Sequence, residues 1–414
     1  MNINNPNNDP LIEEVLKNFF TEVEAEEFNK SYLAEGPAAD LVEKLEDQSL
    51  KKQFDVDLEK GLKHRAQVDL LITFAENKLD QEKFINLILY LGQSTITGGE
   101  FATSLDIYEK LAHYSEKFPE MKNIAANAYL RMGEIYSRQA QWDLSISYLG
   151  KADVIFKDEN DAKGNAECEN LMGTIFGDKG ELDKAVEHFE RTLKILEENP
   201  DNALQGKIEI NLGIINNIQG KYDEALSYFR RALINFEKVG NIQRITEIRQ
   251  DMGMVYTKKK DYSSAISEFD LALQAAISVN YLPSVAIIFL SKSYVYTQLN
   301  DYDLAEAFAE KAMEVAYKLN DKLTIAEVYK IKGIIQRSKE NYSTAENFLL
   351  TSLRLNDELG NQLNHAETSY ELGILYNLTD NKEKSEKYFT DALGYYRKIN
   401  ADEEVNVIEE LLKE

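Results

Sequence analysis

The chain has 414 residues, 43% of them hydrophobic and 29% charged, and its 72 acidic and 47 basic side chains give a formal net charge of −25. That balance makes a nucleic-acid binder a poor candidate, since such proteins concentrate Lys and Arg against phosphates, and it disfavours an anionic membrane surface for the same reason. The apolar fraction is too high for a disordered polyelectrolyte, and no apolar run reaches the ~18 residues that span a bilayer. A single cysteine, Cys168, allows no intramolecular disulfide, which suits a reducing compartment. The first nine residues carry no charged segment followed by an apolar run, so no signal peptide is expected and the chain reads as cytoplasmic. Short basic clusters such as Arg230-Arg231 and Lys258-Lys259-Lys260 are flanked by acids and read as solvated faces.

Residues 1–8 are polar and predict a frayed tail. Asp9-Pro10 supplies an N-cap and a proline at the first helical position, and Leu11, Val15, Leu16, Phe19, Phe20 and Val23 follow at helical spacing. A break near Ala34-Glu35-Gly36 precedes a second helix from Pro37, striped by Leu41, Val42, Leu45 and Leu50. A third helix is expected from about Asp57 to Leu79, carrying Leu58, Leu62, Leu70, Leu71 and Phe74. Residues 9–83 thus form either an N-terminal cap or a small helical module.

From residue 84 the chain repeats. A Gly, once Ser, recurs at Gly92, Gly133, Gly173, Gly213, Gly253, Ser293, Gly333 and Gly373, at intervals of 40 residues after the first. A small residue keeps step at Ser104, Ser145, Ala185, Ala225, Ala265, Ala305, Ala345 and Ser385. A bulky one follows at Tyr108, Leu149, Phe189, Phe229, Phe269, Ala309, Leu349 and Phe389, with Ala309 the departure. Two helices cross closely only where neither carries bulk, so the small positions mark a crossing and the large ones its core. Gly99, Gly180 and Gly220, or Asn and Asp in their place, sit between the helices, and Gly240-Asn241 and Gly360-Asn361 end second helices.

The stretch from Gly206 to Gly240 has the pattern at its fullest: Leu212-Gly213, a turn at Gly220, then Ala225, Phe229 and Ala232. This resembles the tetratricopeptide repeat, a helix–turn–helix unit with Leu-Gly on its first helix and Ala…Phe on its second. The resemblance implies an all-α fold, a right-handed α-solenoid with eight repeats over residues 84–400, capped by the helices of 9–83 and by an amphipathic helix at 401–414 (Val405, Ile408, Leu411, Leu412). It also implies that first helices line a concave side. The residue after each Gly is rotated about 100° from the packed stripe, and residues one turn away share its face. The first such row is Gln93, Glu134, Thr174, Ile214, Met254, Tyr294, Ile334 and Ile374, and the row one turn earlier is Leu89, Leu130, Asn170, Ile210, Gln250, Leu290, Lys330 and Tyr370. The first row is polar in the first three repeats and apolar in the last five. Ile210, Ile214, Asn217, Met254, Leu290, Tyr294, Ile334, Arg337, Tyr370 and Ile374 are the expected binding surface for a partner's helix or extended segment. The competing expectation is that a tight superhelix packs these residues on one another, or that the N-terminal helices fill the groove.

Other chemistry finds little support. Chaperone-binding arrays of this family clamp a terminal carboxylate with Lys, Asn and Arg, but no repeat has Asn after its Gly. His64, His113, His188 and His365 are scattered without a second ligand at helical spacing, so no metal is expected. Asp55-Val56-Asp57-Leu58-Glu59 starts like a calcium loop but has Lys60 at the sixth place and Ala66 at the twelfth. Gly213 to Gly220-Lys221 has neither the spacing nor the hydroxyl of a phosphate loop. Cys168 has no paired His and reads as a packed thiol.

The function expected is a non-enzymatic interaction scaffold, without cofactor, that binds a protein or peptide in repeats four to eight. The alternative is a ligand- or peptide-responsive regulator whose N-terminal helices act as effector module, a layout that resembles bacterial peptide-sensing arrays of the same period. Oligomeric state is left open by the sequence.

Overall fold

The computed structural model describes residues 10–30, 56–399 and 401–413. The polar tail, the Asp9 cap and the helix expected from Pro37 lie outside those residues. Among the described residues the chain is helical, and it divides into two units, 1–199 and 200–414.

In the first unit, α1 (Pro10–Phe19) and α2 (Glu22–Phe28) precede α3 (Val56–Lys78). Three hairpins follow: α4 (Gln81–Thr97) with α5 (Phe101–Ser115), α6 (Lys122–Arg138) with α7 (Trp142–Asp158), and α8 (Ala162–Asp178) with α9 (Leu182–Glu198). A 3₁₀ turn at Pro119–Met121 links the first two. The helix expected to run on through Val23 stops at Phe19 instead, because Thr21 and Glu24 build a capping box that starts a new helix: the Thr21 side chain accepts from the Glu24 amide and the Glu24 carboxylate accepts from Thr21 N–H at 2.9 Å. Val23 is left exposed. Ile12, Val15, Leu16 and Phe28 share one buried core with Leu71 and Phe74 of α3 and with Phe84, Leu87, Leu91 and Tyr108 of the first hairpin.

The second unit holds five hairpins: α10 (Asn202–Ile218) and α11 (Tyr222–Val239), α12 (Ile242–Lys258) and α13 (Tyr262–Ser278), α14 (Leu282–Gln298) and α15 (Tyr302–Leu319), α16 (Lys322–Ser338) and α17 (Tyr342–Leu359), and α18 (Gln362–Leu378) and α19 (Lys382–Lys398). The helix α20 (Asp402–Leu411) closes the end, with Ile408 buried against Phe389, Ala392 and Tyr396.

The 40-residue period is two equal halves. A left-handed residue falls every twenty positions: Gly220, Gly240, Lys260, Asn280, Asn300, Asn320, Glu340, Gly360 and Asp380. Each ends a helix of 17 or 18 residues, and the next begins two positions on. Lys260 and Glu340, at φ 60° and 62°, hold a conformation that favours glycine or asparagine. Asp201, Asn241, Asp321 and Asn361 then cap the first helices α10, α12, α16 and α18 by accepting from backbone N–H groups of the first turn.

The repeated Gly serves close packing. A Cβ at Gly213 would lie 2.7 Å from the Phe229 ring, at Gly253 2.5 Å from Phe269, and at Gly373 2.5 Å from Phe389. The sixth repeat resolves two departures at once. Where Gly becomes Ser293, the facing aromatic becomes Ala309, and the Ser293 hydroxyl donates to the Ala305 carbonyl at 2.8 Å. Beside this pair Phe308 stacks on Tyr296 with ring centroids 5.4 Å apart, as Tyr388 does on Tyr376 in the eighth repeat.

Candidate functional site

In the second unit α14 touches both α12 and α16, and α16 touches α18, whereas successive second helices approach less. The first helices therefore form the inner wall of this unit. The Gly positions of these helices face the second helix of the same repeat, so the residue after each is rotated away from that contact.

Along that wall Ile214, Met254 and Tyr294 are 40%, 45% and 38% exposed, an open apolar row at a 40-residue spacing. Ile210, Leu290, Tyr370 and Ile374 are half-buried beside it. Ile334 departs from the row. It is only 6% exposed and belongs to the core of Ile331, Ile335 and Val328. Arg337 is also engaged: its guanidinium binds the Glu371 carboxylate and donates to the Glu371 carbonyl at 3.1 Å. Lys330, buried, lies 2.8 Å from Glu327 and also binds Glu367. Burial pushes the Glu327 carboxyl up, while Lys330 opposes the shift.

Between the apolar side chains sit amides without partners. The Asn217 Oδ1 and Gln250 Oε1 atoms are buried and accept no hydrogen bond, and neither side chain donates one to a described residue. An unsatisfied buried polar group costs about 1–3 kcal/mol, so these are places where a ligand's amide groups gain most. On the same wall Ile287, Leu323 and Leu363 are exposed as well. They lie one or two turns before the rows read from sequence and were missed because only two rows were followed.

Asp251 was missed for the same reason. It lies one residue beyond Gln250, half-buried on α12, and its carboxylate meets no cation or donor among the described residues. Burial, and then the Glu247 carboxylate four residues back, raise it to about 7. Glu247 itself is held by Arg244 at 2.8 Å and by the Tyr281 hydroxyl at 3.0 Å. A carboxyl whose folded pKa lies above its unfolded value near 3.9 favours the fold while protonated, and that advantage is lost as pH rises through about 7. Asp251→Asn is therefore expected to stabilise the protein by about 1–2 kcal/mol at pH ~8, after discounting for its solvent-facing side, and by almost nothing at pH ~4. Thermal unfolding of both forms at the two pH values checks this; an equal shift at both would refute the assignment.

No helix of the described residues is long and apolar enough to cross a membrane.

Comparison with known proteins agrees with this architecture. Family models described as tetratricopeptide repeat match residues 124–198 and 164–238, and another of the same description matches residues 286–318. No curated protein sequence matches the chain. Solved structures do so at the level of fold. The apo form of RapI is 15% identical, with a TM-score of 0.64 over 88% of this chain and 98% of that one. The apo form of the quorum sensor NprR from B. thuringiensis is 17% identical, with a TM-score of 0.62 over 82% and 94%. Aspartyl phosphate phosphatase F from Bacillus subtilis is 15% identical, with a TM-score of 0.58 over 92% and 93%. The glycine–aromatic crossings, the twenty-residue helical rhythm and these matches together show that the chain carries tetratricopeptide repeats.

Proposed function

We propose that this protein is a non-enzymatic scaffold that captures a helix or extended segment of a partner protein or peptide on the inner wall of repeats four to eight. The observation that carries the reading is the open row Ile214, Met254 and Tyr294 with the unpartnered amides of Asn217 and Gln250 set among it. Apolar side chains would supply affinity, and the amides would pair with the ligand's backbone and fix its register. The charged groups nearby, Lys330, Arg337, Glu367 and Glu371, are tied in ion pairs, which suits a rigid wall better than proton transfer. The test is capture from an extract of the native cell with the full chain as bait, beside a Met254→Asp/Tyr294→Asp variant. A partner retained by the first and lost by the second supports the reading; a partner retained equally by both sinks it.

A second reading is a peptide-responsive regulator with residues 9–83 as effector module. It is favoured by the reach of the RapI and NprR likenesses, which cover 88% and 82% of this chain, and by the NprR structure being that of a quorum sensor. Against an autonomous module stands the shared core of α1, α3 and the first hairpin. A fragment of residues 1–80 would expose Leu71 and Phe74 and is expected to show no cooperative unfolding by circular dichroism. A folded fragment that binds a target by itself would move the function to the N-terminal helices.

A further inference from the structure

A cavity of about 190 Å³ lies where α18, α19 and α20 meet, walled by Tyr370, Tyr396, Glu404, Val407 and Ile408. Cofactor and drug-sized ligands occupy roughly 300–1,000 Å³, so this space is sized for a single side chain. Tyr370 also stands on the inner wall, in the row of Ile210 and Leu290, so the cavity adjoins the surface proposed for the partner.

We propose that this cavity is a subsite for a cationic side chain of that partner, a lysine or arginine whose stem lies on Val407 and Ile408 and whose charge sits by the two phenol rings with Glu404 as counter-ion. The proposal rests on the inner-wall reading above and adds the chemistry of one anchor. Charge complementarity argues for it first. Of the three carboxylates around Tyr396, Glu367 is bound to Lys330 and Glu371 to Arg337, while Glu404 has no ion pair or hydrogen bond to a described residue. The local balance is one negative charge short of a cation. The rings argue next. Aromatic faces attract ammonium and guanidinium groups through their ring quadrupole, and two of them wall this space. Neither phenol oxygen hydrogen-bonds another described residue, so both remain free to accept from a donor. Burial, and then the surrounding carboxylates, hold the Tyr396 hydroxyl well above its ordinary range, which marks the spot as one of negative potential. An anion would meet Glu404 unopposed, and a neutral apolar group would leave that carboxylate half-desolvated with nothing gained.

The test uses the full chain and two isosteric pairs of small probes: lysine amide against norleucine amide, and arginine amide against citrulline amide. Binding is read by saturation-transfer NMR titration. At least one cationic probe is expected to bind about ten-fold or more tightly than its neutral isostere, a factor that one well-placed charge contact supplies. Glu404→Gln, on an exposed side chain, is expected to remove that difference. Glu410→Gln, an exposed acid on the same helix, serves as the control for the chain's overall negative charge and is expected to keep it. Equal binding of cation and isostere, or equal losses in the two variants, would overturn the proposal. The Met254→Asp/Tyr294→Asp variant separates the two readings: if it still captures the partner while the cation preference persists, the cavity stands and the inner-wall site falls.

Discussion

Aspartate at both Met254 and Tyr294 is expected to weaken partner binding by about 100-fold or more while shifting the unfolding midpoint by only a few degrees. The two side chains are 45% and 38% exposed, so neither is part of the core and their loss leaves no cavity. A partner seated on the row would cover both. Anchors at the centre of an interface cost about 2 kcal/mol or more when truncated, and two of them give about 4 kcal/mol, close to a thousand-fold before any cooperation between them. Aspartate adds a charge that the bound state must desolvate, and at position 294 it would also face the Glu371 carboxylate, which after burial is the next cause that pushes the Tyr294 phenol up. Position 334 is the wrong place for such a test. Ile334 is buried, so a carboxylate there would destabilise the repeat itself, and lost binding would report unfolding. The measurement is a titration of the captured partner, or its minimal segment, by calorimetry. An affinity within about three-fold of the unaltered protein would remove the apolar row from the interface.

How much of this was legible beforehand depends on how far each feature reaches along the chain. The repeat register was readable because its cause is local: Gly213 and Phe229 are sixteen positions apart and touch, so one residue's size dictates the other's. The same rule explains what looked like a lapse, since Ser293 and Ala309 depart together. The wall was harder. Arg337 is occupied by Glu371, and Lys330 by Glu367, residues of the next repeat whose approach depends on how two first helices settle on each other. No periodicity within one repeat records that. Ile334 disappears for a related reason: between α14 and α18 the first helices close on one another, and a side chain in the same register as Met254 is covered. Asp251 differs from an ordinary surface acid only in burial and in the absence of a partner, and neither property is written in a helical wheel.

Gly253→Ala is expected to destabilise the protein by about 2 kcal/mol, although alanine is the better helix former by about 1 kcal/mol. Gly394→Ala, on α19, tests the propensity alone: nothing lies within 4 Å of the new Cβ, so it is expected to stabilise by about 0.5–1 kcal/mol. At Gly253 the added carbon would stand 2.5, 2.7 and 2.8 Å from three atoms of the Phe269 ring. That ring is 1% exposed and lies among Ala265, Ala272 and Ile288, so it has nowhere to retreat without moving a helix. Overpacking of this kind costs about 1–3 kcal/mol and outweighs the propensity gain. A double-mutant cycle makes the cause visible. Phe269→Ala alone removes a buried ring and is expected to cost about 3–5 kcal/mol. In that background the new methyl group meets space, as it would beside Ala309 in the sixth repeat, and Gly253→Ala is expected to reverse sign and stabilise by up to about 1 kcal/mol. Urea-unfolding midpoints of the four proteins measure the cycle. If Gly253→Ala stabilises in both backgrounds, as at Gly394, then the glycine is not there to admit the ring, and the packing account of the 40-residue repeat fails with it.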